Sequence, residues 1–123
     1  MSKIVQVINA MIVNPDKIKS VIASGTEYFF IYKDKYKWSI IKNEQGDYII
    51  FYYPDDISLE EVVSISNQNW QNLNAIKYAV SDIRTREAEA SFSELYTLVS
   101  EKAYGIDEVF KDIISDLDED LPF

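Results

Sequence analysis

The order of apolar and polar residues divides the chain into helical and extended segments. Near the N-terminus, apolar residues recur every three or four positions, which predicts a helix over residues 3–13. These apolar positions are Ile4, Val5, Ile8, Met11 and Ile12. Asn14 and Pro15 then have the pattern of a helix start, so a second helix is expected up to Gly25. The buried stripe of that second helix would consist of Ile18, Val21 and Ile22.

From Glu27 onward the pattern changes to alternation with a period of two. Three runs rich in aromatic and β-branched residues are separated by short polar joints, as expected for strands. The runs cover residues 27–33, 36–42 and 47–53. Strands joined so closely pair antiparallel and form a meander. A short fourth strand is expected over residues 76–81, where apolar and polar residues alternate again.

Helix signals dominate the remaining sequence. Ser58 and Glu61 form a capping box, which predicts a helix that could extend to Leu73. Thr85 can cap a longer helix, and a final amphipathic helix is expected from Ile106 to about Leu117. Together these segments predict a single α+β domain over residues 1–117. It would consist of a three- to four-stranded antiparallel meander packed with about five helices.

The missing residue types narrow the functional classes. The chain has no cysteine and no histidine, which excludes disulfides, a Ser-His-Asp triad and zinc bound through those residues. Its three glycines are widely separated and form no phosphate-binding loop. The acid-rich stretch 116–120 lacks the glycine of an EF-hand calcium loop. We therefore expect a protein that binds rather than catalyses, with no catalytic residues, no cofactor and no metal.

The apolar runs are too short to cross a bilayer, and the N-terminus lacks the features of a secretory signal. A cytoplasmic protein without a membrane partner is therefore expected.

Charge is distributed unevenly along the chain. From Asp107 onward seven acidic residues stand against Lys111 alone and contribute −6 of the formal net charge of −9. Residues 28–42, by contrast, hold four lysines against Asp34.

The sequence ends in an acidic and apolar run of six residues. These are Asp118, Glu119, Asp120, Leu121, Pro122 and Phe123. The run resembles the acidic tip of bacterial single-stranded DNA-binding proteins (SSB), in which acids precede Ile or Leu, Pro and a terminal Phe. The resemblance implies that the tip recruits replication, recombination or repair enzymes, including helicases and nucleases. It is confined to these residues, because the predicted body has too few strands and glycines for an oligonucleotide-binding barrel.

The chemistry of the tip agrees with such a role. Phe123 would offer both an aromatic ring and the α-carboxylate to an apolar pocket that contains an arginine. Pro122 restricts the backbone before it and lowers the entropy lost on docking. The acids would steer the tip to a basic rim.

Aromatic and basic residues alternate in the predicted hairpin. Single-stranded nucleic acid is held by aromatic faces that stack on bases and by cations that follow phosphates. The candidate nucleic-acid-binding residues are Lys33, Lys35, Tyr36, Lys37, Trp38, Lys42 and Tyr52. Strand alternation places Lys37 on the opposite face from Tyr36 and Trp38. The same residues also fit a buried sheet with solvated lysines.

Two interpretations of function follow. The first is a single-stranded DNA-binding accessory protein of a phage or other mobile element, whose tip recruits enzymes and whose acidic tail competes with DNA for the basic face. The second is an acidic decoy or DNA-mimic inhibitor that binds basic host proteins without contacting DNA. The sequence leaves a homo-oligomer open.

Overall fold

The computed structural model describes residues 2–119. Within that range the chain forms five α-helices and five β-strands. The helices are α1 (Lys3–Val13), α2 (Leu59–Asn69), α3 (Val80–Ile83), α4 (Arg86–Ala103) and α5 (Ile106–Glu119). The strands are β1 (Ile18–Ser24), β2 (Glu27–Tyr32), β3 (Tyr36–Lys42), β4 (Tyr48–Tyr53) and β5 (Ile76–Ala79).

The five strands form one open sheet in the order β1-β2-β3-β4-β5, and every neighbouring pair is antiparallel. The prediction of an α+β fold with an antiparallel meander is therefore confirmed, and the sheet is not closed into a barrel. The predicted number of three to four strands is one too low. The additional strand is β1.

The helix predicted to begin after Asn14 is wrong. Pro15–Lys17 forms only a 3₁₀ turn, and the chain then enters β1. The pairing of β1 with β2 is interrupted between Lys19 and Ile22, where Ser20 has a φ of 59°. This bulge places Ile18 and Val21 against the same core cluster, although they are three residues apart. A bulged strand thereby acquires the apolar spacing that is typical of a helix.

The other predicted elements are confirmed with small shifts at their ends. The Ser58 hydroxyl accepts a hydrogen bond from the Glu61 amide at 3.1 Å, as expected of an N-cap residue. Helix α2 is shorter than the predicted limit of Leu73, because it gives way to the 3₁₀ turn Trp70–Asn72. The Thr85 hydroxyl caps α4 by accepting from the amide of Ala88 at 3.1 Å.

The sheet is covered by helices on both faces. Helices α1 and α4 cover one face and form the larger core cluster, while α2 covers part of the other face. The fully buried members of the larger cluster include Ile8, Phe30, Ile40, Ile50, Phe92 and Leu95. Strand β2 contributes to both sides, since Phe30 faces α4 and the adjacent Phe29 packs with Leu59 and Val62 of α2.

Helix α5 is exposed along most of its length. Gly105, with a φ of 66°, ends α4 and lets the chain change direction. Every side chain of α5 from Asp107 to Leu117 is exposed. The apolar side predicted for this helix therefore forms but is not buried in the described domain. None of the helices within residues 2–119 is long and apolar enough to span a bilayer.

The bulge in β1 gives a direct test of the corrected assignment. Ser20→Val should be less stable than Ser20→Gly by about 1–2 kcal/mol, because a Cβ is disfavoured in left-handed backbone, and less stable than the wild type, because β-branched residues tolerate this conformation least. Ser20→Gly is the matched control and should be at least as stable as the wild type, since glycine adopts this conformation freely. Urea unfolding of the two variants measures the difference. A helix at this position would give the opposite order.

Candidate nucleic-acid interface

The turn between β2 and β3 presents lysines at one end of the sheet. Lys33 and Asp34 have φ values of 57° and 62°, and the Lys35 amide donates to the Tyr32 carbonyl at 3.3 Å. Two successive left-handed residues match the twist of an antiparallel hairpin. The side chains of residues 33–35 are all exposed. An exposed ion pair joins Asp34 to Lys19 of β1 at 3.5 Å and contributes little to stability.

Three aromatic side chains meet just beyond this turn. Tyr36 and Trp38 lie on the same face of β3, and Tyr52 is the cross-strand partner of Trp38 in β4. The ring centroids of Trp38 and Tyr52 are 4.8 Å apart, and those of Tyr36 and Tyr52 are 6.4 Å apart. These distances are those of interacting aromatic pairs. The rings therefore form a continuous cluster across the two strands.

Helix α1 faces this cluster and completes an open cleft, which we call the hairpin cleft. Its volume is about 350 Å³. The residues that line it are Val7, Ala10, Met11, Tyr32, Lys33, Tyr36, Trp38 and Tyr52. Lys35 Nζ lies 4.9 Å from the centroid of the Tyr36 ring, and Tyr36 remains 38% exposed. The cleft thus combines aromatic walls with two lysines at its rim.

Five of the seven predicted nucleic-acid-binding residues come together in this region, and two do not. Lys37 projects from the opposite face of the sheet, as its position between Tyr36 and Trp38 predicts. Lys42 lies at the other end of β3, six residues from Tyr36, or about 20 Å along an extended strand. Its Nζ is 5.5 Å from the centroid of the Tyr48 ring.

Sequence reasoning missed the contribution of α1 to the cleft. The apolar pattern of α1 identifies residues that face the core, and Val7 falls outside that stripe. No local signal places α1 beside a hairpin that begins some twenty residues later, because the contact depends on how both elements pack with α4.

Trp38, one of the residues that line the hairpin cleft, has an unpaired donor. Among the described residues, the indole nitrogen of Trp38 is the buried side-chain polar atom without a hydrogen-bond partner. An unpaired buried donor costs about 1–3 kcal/mol. An acceptor that reached this nitrogen would remove that cost.

A network of three polar side chains lies on the face of the sheet opposite the hairpin cleft. The buried Ser39 hydroxyl donates to Glu27 Oε2 at 2.7 Å and is 2.7 Å from the Tyr53 hydroxyl. Since Ser39 has one proton to donate, the Tyr53 hydroxyl is the donor in the second bond. The three side chains belong to three adjacent strands, so the strand alternation alone did not reveal this network.

Burial raises the pKa of Glu27 above its usual value of 4.5, although hydrogen bonds with Ser39 and Tyr53 oppose the shift. Burial likewise raises the pKa of the Tyr53 hydroxyl, which stays protonated near neutral pH. Glu27 and Tyr53 also line an apolar cavity of about 500 Å³ beside α2. The hydrogen bonds of the network satisfy these buried polar groups at the cavity.

The acidic end of the chain is described only in part. Helix α5 continues to Glu119, so the backbone of Asp118 and Glu119 is helical. Asp120, Leu121, Pro122 and Phe123 lie outside the described residues, as do the side chains of Asp118 and Glu119. In residues 2–119 no three acidic side chains come together as a metal site.

Comparison of the chain with models of protein families, with curated proteins and with solved structures finds no match.

The Glu27 network predicts a pH dependence of stability. A carboxyl whose pKa is raised on folding holds its proton more tightly in the folded state, so its contribution to stability falls as the pH rises from about 4.5 through the raised pKa. Glu27→Gln keeps an acceptor for Ser39 but carries no charge. At neutral pH the variant should be at least as stable as the wild type. Acidification towards about pH 4.5 should stabilise the wild type relative to the variant.

Urea unfolding at both pH values measures this difference. Glu44→Gln, at an exposed position of the β3–β4 turn, is the control for a change of net charge. A pH response of Glu27→Gln identical to that of Glu44→Gln would contradict the raised pKa.

Proposed function

We propose that the chain is a non-enzymatic accessory protein of DNA metabolism that binds single-stranded DNA at the hairpin cleft. Its C-terminal tip recruits replication, recombination or repair enzymes. The observation that carries the DNA-binding part is the convergence of Tyr36, Trp38 and Tyr52 with Lys33 and Lys35 at one open cleft. Stacking surfaces with adjacent cations are what single-stranded nucleic acid requires.

The geometry supports a small and sequence-tolerant contact. Tyr36 is exposed and lines the cleft, so its ring can stack on a base. Lys33 also lines the cleft, and Lys35 lies beside the Tyr36 ring, so both lysines can contact phosphates of the same strand. Two lysines neutralise about two phosphates, which on a single strand gives a slope of about −1.4 for log affinity against log salt. The net charge of −9 weakens the approach of DNA, so binding is strongest at low salt.

Recruitment of enzymes is supported by the SSB-like residues 118–123 and by their attachment to an exposed helix. The acidic residues from Asp107 onward belong to α5 and to the sequence that follows it. They give this end of the chain a negative charge, whereas the hairpin turn carries lysines. The C-terminal tip can therefore bind a basic pocket of another protein, while the hairpin cleft, in a different part of the chain, binds the phosphates of DNA.

A second candidate function is that of an acidic decoy or DNA-mimic inhibitor. It is favoured by the exposed acidic residues of α5, which include Asp107, Glu108, Asp112 and Asp116. Such a protein binds basic host proteins and has no use for the hairpin cleft. The two candidates are separated by oligonucleotide binding.

The first test is binding of fluorescently labelled oligo-dT at low salt, followed by anisotropy. Tyr36→Ala should weaken binding by roughly 5- to 150-fold, the value of one stacked base. Tyr104→Ala is the matched control, since Tyr104 is 66% exposed but belongs to another region.

Lys33→Ala should weaken binding and reduce the salt slope by about 0.7, whereas Lys42→Ala, at the far end of β3, should do neither. Absence of wild-type binding, or equal losses in the paired variants, would contradict the DNA-binding proposal.

The second test removes Leu121–Phe123. The shortened chain should still bind oligo-dT but should no longer retain purified SSB-interacting helicases or nucleases, because the apolar anchor of the tip is lost. A peptide with the acidic tip of SSB should displace the same enzymes from the intact chain. Retention that survives the truncation would exclude the tip as the recruiting element.

A further inference from the structure

The apolar side of α5 is a continuous unpartnered surface. Its large residues are spaced three or four positions apart over about two and a half turns and lie on one side of the helix. They are Val109, Phe110, Ile113, Ile114 and Leu117, with exposed fractions between 46% and 66%. Exposed apolar rows at this spacing are typical of a helix that docks in a groove of another molecule.

Acidic residues border this surface on both sides. At 100° per residue, Asp116 lies beside Val109 on one edge and Asp107 lies beside Ile114 on the other. Lys111 is the basic residue of the helix and forms only a weak exposed contact of 4.0 Å with Glu108. Symmetric pairing of two α5 helices would place acids against acids, and anionic lipid would repel the same edges. The surface therefore suits an apolar groove with a basic rim.

The chain itself carries a groove of that description. The hairpin cleft is lined by apolar and aromatic side chains from α1, β3 and β4, and Lys33 and Lys35 stand at its rim. Its volume of about 350 Å³ is near the lower limit of ligand pockets, so it can accept side chains of a helix rather than the helix itself. In the described structure α5 leaves its own apolar residues exposed and does not fill the cleft of its own chain.

We propose that α5 of one copy docks its apolar side into the hairpin cleft of a second copy, with the acidic edges of the helix beside Lys33 and Lys35. Such contact joins two different surfaces, so the copy that donates α5 keeps a free cleft and the copy that receives it keeps a free α5. The copies therefore associate head to tail rather than as a closed symmetric pair.

The contact has a consequence for the proposed DNA site. Single-stranded DNA and α5 of a neighbouring copy occupy the same cleft and approach the same lysines, so each displaces the other. This competition rests on the proposed function, whereas the association of the copies does not.

Sedimentation velocity of the full chain without DNA tests the association. The weight-average mass should rise with protein concentration and fall at high salt. Phe110→Glu and Lys33→Glu should each abolish the rise, whereas Val13→Glu, at an apolar residue 75% exposed outside both surfaces, should leave it intact. Circular dichroism establishes that each variant is folded.

The decisive sample is a mixture of Phe110→Glu and Lys33→Glu. The first variant keeps its cleft and the second keeps its α5, so together they should form a dimer that does not grow further. A wild-type protein that stays monomeric at every concentration would overturn the proposal. So would a variant pattern in which Phe110→Glu disrupts assembly and Lys33→Glu assembles as well as the wild type, because that pattern indicates symmetric pairing of α5.

The outcome is independent of the DNA-binding proposal. A chain that assembles as described but does not bind oligo-dT overturns the proposed function and leaves the association standing. A chain that binds oligo-dT and remains monomeric overturns only the association.

Discussion

Burial of one face of the sheet beneath α1 and α4 is the constraint on which the rest of the structure depends. Phe30, Ile40 and Ile50 come from three neighbouring strands and are completely buried with Phe92 and Leu95 of α4. Loss of one such large side chain from a core costs about 2–5 kcal/mol, a large part of the stability of a domain this size. This packing fixes the strand register and, with it, the side of the sheet on which Tyr36, Trp38 and Tyr52 lie. These three side chains remain partly exposed, so the same register that builds the core also creates the hairpin cleft.

An element could be predicted from the sequence where its pattern involves only neighbouring residues. Alternation and short turns identified β2, β3 and β4, and the capping residues Ser58 and Thr85 located α2 and α4. Strand β1 was mistaken for a helix because its bulge, at which Ser20 is left-handed, changes a period of two into a spacing of three. Such a bulge is stabilised by pairing with β2, which a linear pattern does not display.

The candidate site shows the same division. Adjacent residues of the hairpin could be assigned to faces from alternation alone, which correctly separated Lys37 from Tyr36 and Trp38. Alternation did not show that Lys42 is too far along β3 to reach the cleft. It also could not reveal the contribution of α1, which depends on tertiary packing. The Glu27–Ser39–Tyr53 network was hidden for the same reason, since its members are distant in sequence and meet only across three paired strands.

The chain thus carries two surfaces of opposite charge. One is the aromatic cleft with lysines at one end of the sheet, and the other is helix α5, which has an apolar side bordered by acidic residues. The central claim, that the cleft receives single-stranded DNA, is tested most directly by titrating isotope-labelled protein with oligo-dT and following backbone amide shifts. The account predicts shifts that cluster at residues 33–38, at Tyr52 and at the facing residues of α1, with little change around Glu27. Shifts centred on the cavity beside α2, or no shifts at low salt, would contradict it.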